Sequence, residues 1–371
     1  MSQATVKEPT AFQQAIKRLL NDFGLPRLII LAMFVTLFII AWFFDMNLPS
    51  FFGDVLRRWG MFGILVLAMV PGIQSGIGPN FGITVGIVGG LVGAVVSIDM
   101  NHAGFFDFIT NPYMHSVVLA LFAMIIGVLV ATPMGILYGA LLNRVKGSEM
   151  AISVYVGFSV VNLFNILWAT FPVTAGILIL PATGRGLRQM VNLRDDFGHA
   201  FDNLLRFDMG SMTVRIGLLA VFFLACFLMF LFTRSRLGMM MSAAGSNPSY
   251  ARASGINVDR MRILGTTIST ALGAVGIIVY AQSFGFLQLY AAPMTMGFII
   301  VASVLIGGAT VKRARVFDVI LGAFLLNGVL TIALPLANVM LPDVAGVPEM
   351  LRLIITNGII LYALSKAKGG R

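Results

Sequence analysis

The chain has 371 residues, 58% of them hydrophobic and only 11% charged, with a mean hydropathy of +0.94. A soluble domain carries about 25% charged residues, so a soluble enzyme, even one with a single anchor, is excluded in favour of a polytopic, all-α membrane protein. The formal net charge of +10 would point a soluble protein toward nucleic acid; here the cations read as topology, and no nucleic-acid partner is expected.

Residues 1–27 form a polar, basic lead with Lys7, Lys17, Arg18 and Arg27. Within it Phe12, Ile16, Leu19, Leu20 and Phe23 recur at helical spacing, which suits a helix lying along the membrane surface. The lead does not read as a cleaved signal, because no convincing small-residue site follows. A first span is expected at 28–44, then a short external link at 45–58 with Pro49, Asp54, Arg57 and Arg58. The second and third spans, 61–75 and 81–98, meet in GIQSGIGPNFGITVGIVGG. So much glycine beside Pro79 favours a broken or re-entrant helix near the midplane; two plain helices packed closely through glycine remain open. The fourth span, 113–142, contains Pro133, where a kink is expected. Arg144 and Lys146 mark a cytoplasmic turn, and the fifth span, 151–170, carries Asn162 and Asn165.

Residues 171–211 form the longest external region, rich in both signs of charge, and predict a small helix or lid whose charges face water or dock a soluble partner. After the sixth span (212–232) comes RSRLGMMMSAAGSNPSYARASGINVDRMR, residues 234–262, the longest basic insertion between two apolar spans. Its arginines place it in the cytoplasm. Asn247-Pro248 predicts a turn, with a short helix over 249–254 stopping at Gly255. Small residues there (Ala243, Ala244, Ala251, Ala253) would let the helix seat in a partner's groove, and Arg252 would add a charged contact. Spans at 263–282, 294–306, 316–335 and 350–364 complete about ten, with a tail at 365–371. Lys7, Lys17, Lys146, Lys312, Lys366 and Lys368 all fall in segments assigned inside, so both termini are expected in the cytoplasm. Residues 28–364 then form one transmembrane domain.

No pattern for covalent chemistry occurs: no HExxH, no GxxxxGK followed by Ser or Thr, no GxSxG. No catalytic residue, metal site or cofactor is therefore assigned to this chain. Cys226, the single cysteine, lies in an apolar span and permits neither an intrachain disulfide nor a thiolate metal site. The spans hold almost no ionisable groups, which weakens proton relays, but they hold neutral polar ones. Gln74, Asn80, Asn162, Asn165, Gln282, Phe284 and Thr295 are the candidates for a solute pathway; the same side chains could simply tie helices together. Such a lining suits a small neutral solute, a simple sugar above all, with a nucleoside as alternative. A stand-alone ion-coupled transporter built on the glycine-rich break is a more remote one.

The stretch 233–282, and AAGSNPSYARASGINVDR in particular, resembles the membrane permease subunits of bacterial ABC importers for ribose-type sugars, nucleosides and branched-chain amino acids. IVASVLIGGATVKRARVFDVILGAFLLNGV is similar to a second stretch of that family. The resemblance implies a type II-like, ten-span fold in the bacterial inner membrane, working as a pair with an identical or homologous permease. Two ATPase subunits would use ATP and Mg below it, and an extracytoplasmic solute-binding protein would deliver cargo. Ala243, Ala244, Gly245, Asn247, Ser249, Ala251, Arg252, Ser254, Gly255 and Ile256 would then form the coupling element that enters the ATPase. The family's usual acid in a pattern near GGIDLSVG is absent from SGIGPNFGITVG, so the machine carries over more firmly than the cargo.

Overall fold

The computed structural model describes residues 25–340, apart from 181–183 and 185, together with 350 and helical positions 353, 354, 357, 358 and 361. Residues 1–24 of the N-terminal lead, most of the tenth span and the C-terminal tail lie outside the described residues. Long apolar runs with few charges form helices here because every backbone polar group must be satisfied within its own segment in lipid. The helices are α1 (Leu25–Phe43), α2 (Leu48–Leu67), α3 (Met69–Gln74), α4 (Thr84–His102), α5 (Pro112–Arg144), α6 (Glu149–Leu167), α7 (Ile216–Arg234), α8 (Arg236–Ser246), α9 (Pro248–Ala253), α10 (Val258–Phe284), α11 (Ala291–Ile306) and α12 (Val316–Met340). Among the described residues, seven helical segments are long and apolar enough to cross a membrane; 27–43 and Ala291–Ile306 are shorter apolar helices. The protein is a multi-pass membrane protein.

The expected external link at 45–58 is helical instead. Asn47 caps α2 by accepting from the Ser50 amide, with Pro49 in the first turn, and α2 with α3 makes one span over Leu48–Gln74. Arg57 and Arg58 thereby move from a loop onto a spanning helix. The segment from Phe81 to His102 is the central one, with 94% of its apolar window buried, against 17% for α6. It is central because glycine lets its neighbours close in. A Cβ on Gly89 would lie 2.9 Å from the Ala131 Cβ of α5, and no side chain separates Gly86 from the Thr270 backbone of α10.

The break in the glycine-rich stretch is real but displaced from the expected midplane. Gly76 and Gly78 adopt φ of +82° and +89°, so the chain turns between α3 and the 3₁₀ turn Phe81–Ile83. Gly76 faces Gly245 of α8, and Gly78 faces Val311 and Met150. The break therefore sits toward the basic end of the bundle, where the Arg236–Arg262 region lies. From Gly82 onward the glycines serve close helix packing, the alternative left open by the sequence.

The opposite, far end holds the segment between α6 and α7. It is not a helix: β1 (Met190–Asn192) pairs antiparallel with β4 (Phe286–Gln288), which follows α10, and β2 (Arg206–Met209) pairs with β3 (Met212–Arg215). The fold is all-α in its spans with these small β elements outside them. β2 and β3 turn through Gly210 at φ +59°, and Gly285 at φ +86° ends α10 so that β4 can fold back onto β1.

Candidate functional site

At the basic end the loop folds as the Asn-Pro turn predicts. The Asn247 Oδ1 accepts the Tyr250 amide at 3.1 Å and Pro248 occupies the first turn. The six-residue α9 stops at Gly255, whose φ of +80° only glycine adopts freely. The Ile256 amide donates back to the Ala251 carbonyl at 2.9 Å. Ala244, Ala251 and Val258 are buried together, with Ile256 and Met261 packed on them. Ala244 and Ala251 thus hold the element in shape and do not face a partner. Asn247, Ser249, Arg252, Ser254 and Gly255 are exposed, and Ala243 and Gly245 half-buried. Tyr250, at 69% exposure, stands on the outer face of α9. The sequence reading missed it.

Gly245 turns the other way: its Cα lies where a Cβ on Gly76 would come within 2.8 Å. The loop helices thereby rest directly on the break between α3 and α4. The Arg262 guanidinium donates to Glu149, and Lys146 Nζ meets Asp259 at 2.6 Å, so the α5–α6 turn is tied to the same element.

Three of the seven expected pathway residues, Gln74, Asn80 and Gln282, are structural ties. Asn80 is buried; its Nδ2 donates to the Ser269 Oγ at 3.0 Å, and the Tyr138 hydroxyl donates to its Oδ1 at 2.7 Å. Gln74 Nε2 donates to the Ala314 carbonyl at 3.0 Å. Gln282 is fully buried; it accepts the Phe201 amide at 3.1 Å and donates to Asp202 at 3.3 Å. Asn162 lies exposed on α6 and Asn165 half-buried beside it. Phe284 and Thr295 do reach a common space. They line a cavity of about 460 Å³ at the far end, enclosed by α2, α10, α11 and α12. With them stand Asp54, Arg57, Arg58, Tyr280, Gln288, Asn327 and Thr331. The structure does not bring Gln74, Asn80, Asn162, Asn165 or Gln282 to that cavity's wall.

An ionic knot closes the far end beside the cavity. The buried Asp202 carboxylate accepts from the Ser283 Oγ at 2.8 Å and lies 3.2 Å from Arg215 Nε, 3.4 Å from His199 Nδ1 and 3.6 Å from Arg57 Nε. Arg57 also donates to the Ser283 carbonyl. Burial alone would raise the Asp202 carboxyl. Hydrogen bonds from His199 and Ser283 and the charges of Arg57 and Arg215 outweigh it and hold the group below the usual carboxylate range. Asp196 goes the opposite way: burial dominates and raises it, despite Asn101 at 2.9 Å and His102 at 3.5 Å. No sequence spacing links positions 57, 202, 215 and 283, so no motif could have announced the knot. Among the described residues no group of His, Cys, Asp and Glu is placed to hold a metal ion.

A family model described as branched-chain amino acid transport system / permease component matches residues 51–364. The chain is similar to the nucleoside ABC transporter permease protein NupB of Lactococcus lactis subsp. cremoris (strain MG1363), 27% identical over 159 residues, 42% of this chain and 40% of that protein. It is also similar to the tyrosine transport system permease protein of Clostridioides difficile (strain R20291), 27% identical over 195 residues, 50% of this chain and 56% of that protein. A third relative is the probable ABC transporter permease protein YphD of Escherichia coli (strain K12), 27% identical over 168 residues, 43% of this chain and 49% of that protein. The chain spans about half the length of these curated relatives. No solved structure matches.

Proposed function

We propose, from the premise that this chain belongs to the branched-chain amino acid transport system permease component family, that it forms the membrane pathway of an ATP-driven importer for a small polar solute. In this reading partner ATPases bind at the basic end and hydrolyse ATP with Mg, while this chain hydrolyses nothing. A second permease copy or homologue completes the pathway, and an extracytoplasmic binding protein supplies cargo. The observation that supports it best is the contact between Gly245 and Gly76. A partner gripping Tyr250, Arg252 and Ser254 on the outer face of α9 would move α8, and α8 has no side chain between it and the break that joins two spans. Force reaches the membrane region through backbone.

A simple sugar is the cargo that the neutral polar spans favour, and a nucleoside is the alternative. Asn327, Thr331 and Thr295 offer hydrogen bonds in the cavity, and Tyr280 and Phe284 offer a flat apolar wall. The test is accumulation of radiolabelled solute in proteoliposomes holding the permease, its ATPases and its binding protein. Accumulation should require ATP, and Arg252→Glu should abolish it with the complex still recoverable in detergent. Accumulation by the permease alone, without ATP, would overturn the reading.

A further inference from the structure

The hairpin of β2 and β3 has two unlike faces. Directly opposed residues of an antiparallel pair share a face, and the register sets Phe207 opposite Val214 and Met209 opposite Met212. That face holds no polar side chain. The other sets Arg206 opposite Arg215 and Asp208 opposite Thr213, and its groups are already paired. Arg206 Nε lies 3.0 Å from Asp208 Oδ2, Thr213 Oγ1 donates to Asp208 Oδ1 at 2.7 Å, and Arg215 reaches Asp202. The apolar face is the open one: Phe207 and Met209 are 54% and 59% exposed, and Leu204 and Leu205, just before β2, are at least half exposed. A two-stranded sheet is marginal at best when its apolar face is left in water, and exposed apolar patches mark interaction surfaces.

The height of the hairpin says what covers that face. β3 runs along the first two turns of α2: a Cβ on Gly53 would lie 2.9 Å from the Thr213 carbonyl oxygen, and the Ser211 Oγ donates to Asn47 Oδ1 at 2.9 Å at the head of the helix. Asn47 closes the short turn after α1, whose last residues expose Trp42 and Phe43, with Phe44 beside them. Aromatic residues at the end of a spanning helix, tryptophan above all, mark the membrane–water boundary. The hairpin therefore stands beside the bundle at that boundary and not above it in free solution. Its apolar patch also continues a lipid-facing surface. The Leu205 carbonyl accepts the Ile216 amide at 3.0 Å, and Ile216 opens the exposed apolar side of α7, which runs on through Phe223, Leu224 and Phe227.

We infer that the β2–β3 hairpin is a membrane-contacting element. Leu204, Leu205, Phe207 and Met209 enter the edge of the acyl-chain region in the leaflet at the far end, while the Arg206–Asp208 pair and the Gly210–Ser211 turn stay among headgroups and water. The same division of faces lets an amphipathic helix lie in the interface. Lipid and the Asp202 knot then hold the hairpin from two sides, because β3 carries Arg215 into the knot. The inference needs only that the chain spans a membrane, and it stands apart from the importer reading.

The test is spin labelling of the full-length chain in phosphatidylcholine nanodiscs. Cys226 is buried, so the parent should take up little label. Arg206→Cys, Phe207→Cys and Met209→Cys each supply one exposed thiol, and each variant's thermal transition verifies its fold. Collisions of the nitroxide with oxygen, which concentrates in lipid, are compared with collisions with a water-soluble nickel chelate. Labels at 207 and 209 should favour oxygen and lose the nickel signal, while the label at 206 should keep it. Nickel access at all three positions would place the whole hairpin in water, leave its apolar face to a soluble partner and overturn the inference. Weak collision with both reagents at 207 and 209 would mean that protein, such as a second copy of this chain, covers the face, and would overturn it as well.

Discussion

Tyr250 stands 69% exposed on α9, and Asn80 joins α5 to α10 behind it through Tyr138 and Ser269. Exposed aromatic anchors dominate interfaces when they enter a partner's pocket. Tyr250→Ala should therefore lower ATP-dependent transport by about tenfold or more, the cost of losing such an anchor. As an exposed position it should leave the thermal transition of the permease almost unchanged, which differential scanning fluorimetry would read. Asn80→Ala should do the reverse. It strands the Tyr138 hydroxyl and the Ser269 Oγ inside the bundle, at a cost of about 1–3 kcal/mol, visible as a lower melting temperature. Equal melting temperatures for that variant and the parent would remove the buried tie from the account.

The element scale shows what a sequence can and cannot announce. The loop from α8 to α10 was legible because Asn247-Pro248 and Gly255 are local punctuation, acting on the very residues that carry it. Seven of the expected spans were legible from apolar length. The depth of the glycine break was not, because Gly76 and Gly78 have the same composition wherever α8, α6 and the loop after α11 meet them. Nor was the strand pairing at the far end, where β1 and β4 are separated by two spanning helices and several turns. Of the expected pathway residues, Phe284 and Thr295 reached the cavity, while Asn80 and Gln282 became ties. An amide in an apolar helix seeks a partner, and nothing in the sequence says whether that partner is protein or solute.

The knot around Asp202 makes its own prediction at this scale. Its carboxyl is held low, so its contribution to order is complete above the ordinary carboxylate range. That contribution is lost only as pH falls through the depressed value. Hydrogen exchange across 199–215 should stay slow at neutral and mildly acidic pH and quicken only in stronger acid. Asp202→Asn should quicken it at neutral pH. Exchange that is equally slow in the variant would show the strands hold the segment without the charge.

For the whole molecule the question is which end faces which solution. Cys226 is buried in α7, so the parent should be nearly silent to a membrane-impermeant maleimide. Tyr250→Cys should label only from the cytoplasmic face, in inverted vesicles, and Gly210→Cys only from the outside, in right-side-out vesicles, both read by gel shift. Labelling of both from one face would reverse or collapse the topology. Between those two ends Gly76 and Gly245 touch without side chains, and in the importer reading the stroke passes through this joint. A joint of bare backbone has no slack: side chains can change rotamer to absorb a displacement, and peptide planes in contact cannot. A methyl group added at Gly245 would therefore act as a shim. It would set the two spans at a fixed offset, as though a stroke had already been delivered, and under the proposed function the permease would idle in one orientation however much ATP was consumed.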